Sequence, residues 1–240
     1  VAGVIEAVGQ NVSRLKVGDK VWGGTFGDTY AEYVALNEDL VSLMPNNTNM
    51  KEAASLLVGV VTAYSFLVEN GNVKENDRVF IQGAAGGSGG IMLQMAKSLG
   101  AYVIASASGE GIAWCKANGA DEIIDYKNQD FATLVKDVDF VIDFAGGEST
   151  DKSFEIIKEG GKLYSAAGMP SQELAQKYGV EAKFISSTIT PQKMDYGKKL
   201  VEEGKIKPHI VETLKLKDAA KAQTLLSAGG LNGKIVLEID

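Results

Sequence analysis

The chain has 240 residues, a formal net charge of −7 and 45% hydrophobic content, enough apolar material to bury one large core or two smaller ones. The acidic balance, with no cluster of Lys or Arg, argues against nucleic acid or an anionic membrane as partner. Cys115 is the only cysteine, which excludes an intrachain disulfide and leads us to expect a cytoplasmic protein.

The apolar runs are broken by Gly, Ser, Thr or charge before about 18 residues, so no membrane span is read. The opening VAGVIEAVG has no basic segment ahead of it and no Met, and no signal peptide is expected. Residues 1–45 read as β structure. Val1–Val8 is a short apolar strand and Lys16–Trp22 a turn entering a second. Tyr30–Leu36 alternates as a half-buried strand would, and Leu40–Met44 is another, stopped by Pro45. The stretch Asn46–Asn49 predicts a loop and a domain boundary.

From Met50 the period changes. Lys51–Val68 predicts one or two apolar helices, and Val79–Ile81 a short buried strand. Gly83–Gly90 is a tight turn of small residues, followed by Ile91, Met92, Met95 and Leu99 at helical spacing and by a second apolar strand, Tyr102–Ala105. This β-α-β unit carries the register Ala84-x-Gly86-x-x-Gly89 at its first turn. Gly86 allows a pyrophosphate to approach the backbone, Gly89 allows helix and strand to pack closely, and the first helical turn offers unpaired N–H groups. Close packing alone would also account for small residues there.

The alternation continues. Ile112–Asn118 is a helix, Glu122–Asp125 a strand, Gln129–Lys136 a helix and Val138–Asp143 a strongly apolar strand. Thr150–Ile157 reads as a helix, Gly161–Ser165 as a strand and Glu181–Ser186 as the last strand of a doubly wound parallel sheet. Pro191–Glu203 predicts a helix, Ile210–Leu214 and Lys234–Ile239 strands, and Leu216–Leu226 a helix between them.

Taken together, these segments resemble the medium-chain dehydrogenase/reductase superfamily, in its zinc-independent quinone oxidoreductase-like branch. The matching strings are Val1–Gly9, Val17–Val21, Tyr30–Val34, Gly59–Tyr64, Gly83–Gly89, Gly119–Tyr126 and Gly233–Leu237, in order along the chain. The resemblance implies an α/β fold: a Rossmann-like doubly wound sheet over 47–206, plus a partial GroES-like β domain formed by both chain ends, 1–46 and 207–240. A typical member carries further residues ahead of Val1.

It also implies hydride transfer from NADPH (NADH being possible) to a quinone, enone or 2-alkenal, without metal. Zinc-dependent relatives place a cysteine ligand four residues before the threonine matched by Thr62, a position held here by Val58. The implied cofactor contacts are Thr62, Ala85, Gly86, Gly87, Ser88, Gly89, Ser106, Ser108, Tyr126, Gly146, Ala167, Gly168 and Asn232, with Tyr64 as the catalytic candidate. The strand ending Ala105-Ser106-Ala107-Ser108 has no carboxylate to take a ribose diol, which favours a 2′-phosphate. The lysine that NADPH-using relatives place nearby falls at Gly111, and Lys116 and Lys127 are substitutes. Pairing of strand 181–186 with its copy would give a homodimer. The reading from a different class is a catalytically inactive, nucleotide-binding sensor or interaction protein.

Overall fold

The computed structural model describes residues 1–25 and 27–239. Close contacts divide the chain into two units, Val1–Val61 with Thr188–Asp240, and Thr62–Ser187. The divisions fall at 61/62 and 187/188, where the sequence placed 46/47 and 206/207.

The first unit opens with β1 (Ala2–Val4), β2 (Lys20–Gly23) and β3 (Val41–Leu43), a three-stranded antiparallel sheet in the order β1-β2-β3. Trp22 of β2 is fully buried. The expected strand at Tyr30–Leu36 does not form: the stretch carries no strand among the described residues, and Tyr30 and Tyr33 are exposed. Alternation makes a strand only where a neighbour completes its ladder, and neither β1 nor β3 runs beside it. Helix α1 (Met50–Ala63) is entered through a reciprocal cap, in which Asn49 Oδ1 accepts from Glu52 N–H at 3.0 Å and Glu52 Oε2 from Asn49 N–H at 2.9 Å. It continues as a π-helical segment, Tyr64–Asn70. The 21 residues Met50–Asn70 contain an 18-residue stretch of mean hydropathy 1.4, long and apolar enough to cross a membrane, but 67% of that stretch is buried in the protein, as in a core helix.

The second unit is a six-stranded parallel sheet. Its members are β4 (Arg78–Ile81), β5 (Tyr102–Ala107), β6 (Glu122–Asp125), β7 (Val138–Asp143), β8 (Ile157–Ser165) and β9 (Glu181–Phe184), in the order β6-β5-β4-β7-β8-β9. Helices α2 (Gly89–Ser98), α3 (Glu110–Ala117), α4 (Phe131–Leu134), α5 (Glu148–Ser153) and α6 (Gln172–Tyr178) connect them. The central strands are apolar on both faces: Val79, Phe80, Ile81, Val103, Ile104, Val141 and Ile142 are fully buried. Between β4 and β7 the order of strands reverses, and open sheets of this type bind ligands at that switch point, beyond the carboxyl ends of the strands.

Three of the connecting helices depart from expectation. The helix expected over 129–136 is one turn, α4, because Val135 returns to extended backbone as the cap. The helix expected over 150–157 ends at Ser153, and Ile157 already belongs to β8. Helix α6 was not anticipated.

The chain closes within the first unit. Helix α7 (Pro191–Glu202) starts at Thr190, whose side chain accepts from Lys193 N–H, with Pro191 in its first turn. Strand β10 (Ile210–Lys215), helix α8 (Ala219–Ser227) and strand β11 (Lys234–Glu238) follow, and β10 and β11 pair in parallel. Gly197 lets α7 lie against α1, since a Cβ there would stand 2.0 Å from Val60 Cγ1. Gly197→Ala should therefore cost about 2 kcal/mol despite alanine's better helix propensity, and Val60→Ala in the same chain should recover most of it. A double-mutant cycle in urea measures this.

Candidate functional site

The turn after β4 is shaped by backbone approach. Gly83 adopts φ +69°, Gly86 N–H bonds Gly83 O at 3.0 Å and Gly90 N–H bonds Gly86 O at 2.8 Å. A Cβ on Gly89 would stand 2.1 Å from Gly83 O, so the first turn of α2 lies directly on the strand end. On Gly86 a Cβ would meet only Gly83 O, at 3.2 Å, and otherwise open space. Ala84 N–H ties the turn to β5 through Ser106 O at 3.1 Å. Among the described residues the N–H groups of Ala85, Gly87 and Ser88 have no backbone acceptor, and the Ser88 side chain does not cap α2. Free donors, an open glycine and a helix N-terminus together fit a pyrophosphate.

Beside this turn is a cavity of about 750 Å³, lined by Gln82, Gly83, Ser106, Tyr126, Lys127, Phe131, Ser149 and Lys152, among others. It lies over the carboxyl ends of β4, β5 and β6. Ser106 is buried and Tyr126 half-exposed at its wall. Its volume and mixed lining fit the nucleoside half of a dinucleotide. Lys152 pairs with Asp130 at 3.4 Å and Lys127 also lines the cavity. Lys116, the other expected substitute, lies exposed on α3, outside the lining, and Gly111 is buried in the first turn of α3.

The carboxyl ends of β7 and β8 are organised by a residue the sequence reading passed over as the end of a strand. Asp143 is fully buried. Its Oδ1 accepts from Ala145 N–H at 2.8 Å and Gly146 N–H at 2.9 Å, and its Oδ2 from Thr150 Oγ1 at 2.6 Å and Ser165 Oγ at 2.8 Å. Ser165 Oγ in turn accepts from Ala167 N–H at 3.0 Å and Gly168 N–H at 3.3 Å. One carboxylate thus holds both loops in which Gly146, Ala167 and Gly168 were expected to meet a cofactor, and a Cβ on Gly146 would lie 3.0 Å from Ala167 Cβ. The signal available was a charged residue closing an apolar strand just before Gly146-Gly147.

The remaining candidates are dispersed. Ser108 is half-buried ahead of α3. Thr62 is buried near the end of α1, and Tyr64 opens the π-helical segment, whose Phe66 stacks on Phe144 with ring centroids 5.9 Å apart. Asn232 precedes β11 in the other unit. Exposed Val58 occupies the position expected of a zinc ligand in zinc-dependent relatives. Among the described residues no three His, Cys, Asp or Glu side chains cluster to hold a metal. Cys115 is buried in α3, and burial pushes its thiol up to about 12, so it stays protonated and poorly nucleophilic. A disulfide reagent at pH 8 should accordingly leave the native thiol unmodified and titrate one thiol per chain in guanidinium; rapid native labelling would contradict the burial.

A zinc-binding dehydrogenase family model matches residues 118–237. The quinone oxidoreductase of Pongo abelii is 28% identical over 255 residues, covering 99% of this chain and 78% of that protein. The 2-methylene-furan-3-one reductase of Solanum lycopersicum is 32% identical over 251 residues, covering 99% of this chain and 62% of that protein. The quinone oxidoreductase structure from Coxiella burnetii superposes with a TM-score of 0.91 at 32% identity, covering all of this chain and 78% of that one. With the parallel sheet, the glycine turn at its switch point and these likenesses together, the chain belongs to the medium-chain dehydrogenase/reductase superfamily, oxidoreductases that bind a nicotinamide cofactor, and within it to the quinone oxidoreductase-like branch.

Proposed function

We propose that this chain is an NADPH-dependent, metal-independent reductase that delivers hydride to a conjugated, electron-poor acceptor: a quinone, an enone or a 2-alkenal. The observation that carries the reading is the open glycine turn at Gly86 beside a nucleoside-sized cavity. The bound cofactor supplies the hydride, and the protein's contribution is to hold and orient it. The donors of Ala85, Gly87 and Ser88 take the pyrophosphate, and Gly89 keeps α2 close enough for its N-terminus to face the anion. Asp143 fixes the two loops bearing Gly146, Ala167 and Gly168 along the path of the cofactor. Thr62 and Asn232 are its further contacts, and Tyr64 is the polar group at the substrate.

The preference for the 2′-phosphate rests on the end of β5, where Ser106 and Ser108 stand in place of a carboxylate, and on Tyr126 and Lys127 across from them. The acceptor class follows from the relatives, whose names pair a quinone with a methylene-furanone. A metal is absent from the reading because one buried, protonated cysteine and one histidine are a poor donor set. Within the same reading the protein is cytoplasmic and dimerises through the edge at 181–186. Among the described residues strand β9 pairs only with β8, which leaves its outer edge open.

The test is consumption of NADPH and of NADH with p-benzoquinone, an enone and a 2-alkenal. Turnover with NADPH is expected, slowed in Tyr64→Phe. Tighter binding of NADH would overturn the 2′-phosphate assignment, and binding without turnover on any acceptor would favour a nucleotide-binding sensor.

A further inference from the structure

Gln82 sits between Ile81, the last residue of β4, and Gly83, directly after the apolar run Val79–Ile81. Its side chain is 2% exposed, yet it lines the cavity. Nε2 donates to Ser149 Oγ at 2.6 Å and Ser153 Oγ at 3.1 Å, and lies 3.4 Å from Ser149 O. The single hydroxyl hydrogen of Ser153 goes to Ser149 O at 2.8 Å, so the Ser153 oxygen can only accept from Gln82. That commitment fixes the amide with its nitrogen toward α5 and its oxygen away from it. Oε1 has no partner among the described residues. A buried amide oxygen left without a donor is a standing cost that a bound donor would remove.

We propose that Gln82 and Ser149 read the purine base of the dinucleotide, an inference that rests on the cofactor assignment above. Adenine offers an amino group at position 6 as donor, with an acceptor ring nitrogen next to it. Gln82 Oε1 accepts from the amino group. The Ser149 hydroxyl, whose oxygen already accepts from Gln82 and whose hydrogen has no acceptor among the described residues, donates to the ring nitrogen. Phe131, buried, and Tyr126 supply apolar and aromatic surface for the flat base within the same cavity. The pair discriminates, because hypoxanthine carries an oxygen at position 6. Two acceptors then face each other, and the amide cannot turn without setting its oxygen against the lone pairs of Ser153.

The test is calorimetric titration of the protein with NADPH and with its hypoxanthine analogue, repeated with the corresponding non-phosphorylated pair because the base is the same in both. Wild type should prefer the adenine form by about tenfold, the worth of one good hydrogen bond and one avoided clash of acceptors. Gln82→Leu should bring the two ligands to within about twofold, chiefly by weakening NADPH. Ser149→Ala, a smaller change that preserves the packing of β4, should cut the preference as well and decides the matter if Gln82→Leu does not fold. Equal affinities in wild type, or an undiminished preference in the variants, would overturn the base reading while leaving the cofactor assignment standing. Binding of neither dinucleotide to wild type would overturn both.

Discussion

Asp143→Ala should unfold at markedly lower urea and lose measurable dinucleotide binding even where it remains folded. The carboxylate is fully buried and accepts from two backbone amides and two hydroxyls. Alanine leaves those donors in a space closed to water, and a network of this kind is worth about 4 kcal/mol when broken. The loss extends beyond the first contacts, because Ser165 is positioned by Asp143 and itself holds the Ala167 and Gly168 amides. Asp143→Asn is the informative companion. It keeps an oxygen for the Ala145 and Gly146 amides, and Thr150 and Ser165 can present oxygen to its new N–H donors. The Asn variant should cost about half as much, although Ser165 then competes for its acceptor role with Ala167 and Gly168. Urea midpoints at constant m-value and NADPH titrations separate stability from affinity. Equal stability of wild type and Asp143→Ala would show that the buried hub contributes nothing.

Gly86→Ala and Gly89→Ala should fail in different ways. At Gly89 the three atoms nearest the added methyl would all be backbone: Gly83 O at 2.1 Å, Gly83 C at 2.9 Å and Ala84 Cα at 3.0 Å. None of these can rotate aside, so α2 must lift off the strand end, at a cost of about 3 kcal/mol or more. At Gly86 the methyl meets Gly83 O at 3.2 Å and nothing else nearby. The fold should therefore keep its stability to within about 1 kcal/mol, while NADPH affinity falls by at least about tenfold because the methyl occupies the line of approach of the pyrophosphate. Thermal melts read the first effect and ligand titration the second. A Gly86→Ala protein that binds NADPH as wild type does would remove the glycine turn from the cofactor site.

These contrasts also explain what could be read before the structure. The unit β4–α2–β5 was legible because three independent signals agree there: a buried apolar strand, a turn of small residues and helical spacing at Ile91, Met92 and Met95. Tyr30–Leu36 misled because alternation records which residues would alternate in burial, not whether a partner strand exists. Helix α6 escaped because it is polar and buries only Ala175. Its ends did carry signals, with Ser171 accepting from Leu174 N–H and Gly179 in the left-handed conformation at the cap. In the site, glycines and hydroxyls announced themselves through a familiar register. Asp143 and Gln82 did not, since a polar residue at the end of an apolar strand looks the same in sequence whether it faces solvent, a loop or a ligand. Only the contacts of Thr150, Ser165, Ser149 and Ser153 distinguish these cases, and those are tertiary.

The central claim is that the turn at Gly83–Gly90 takes the cofactor's pyrophosphate, and amide hydrogen exchange with and without saturating NADPH tests it most directly. Binding should slow exchange across Gly83–Gly90 and at Ala145–Gly146, with the signal lost in Gly86→Ala. Saturable binding of NADPH that leaves exchange in Gly83–Gly90 unchanged would contradict the account.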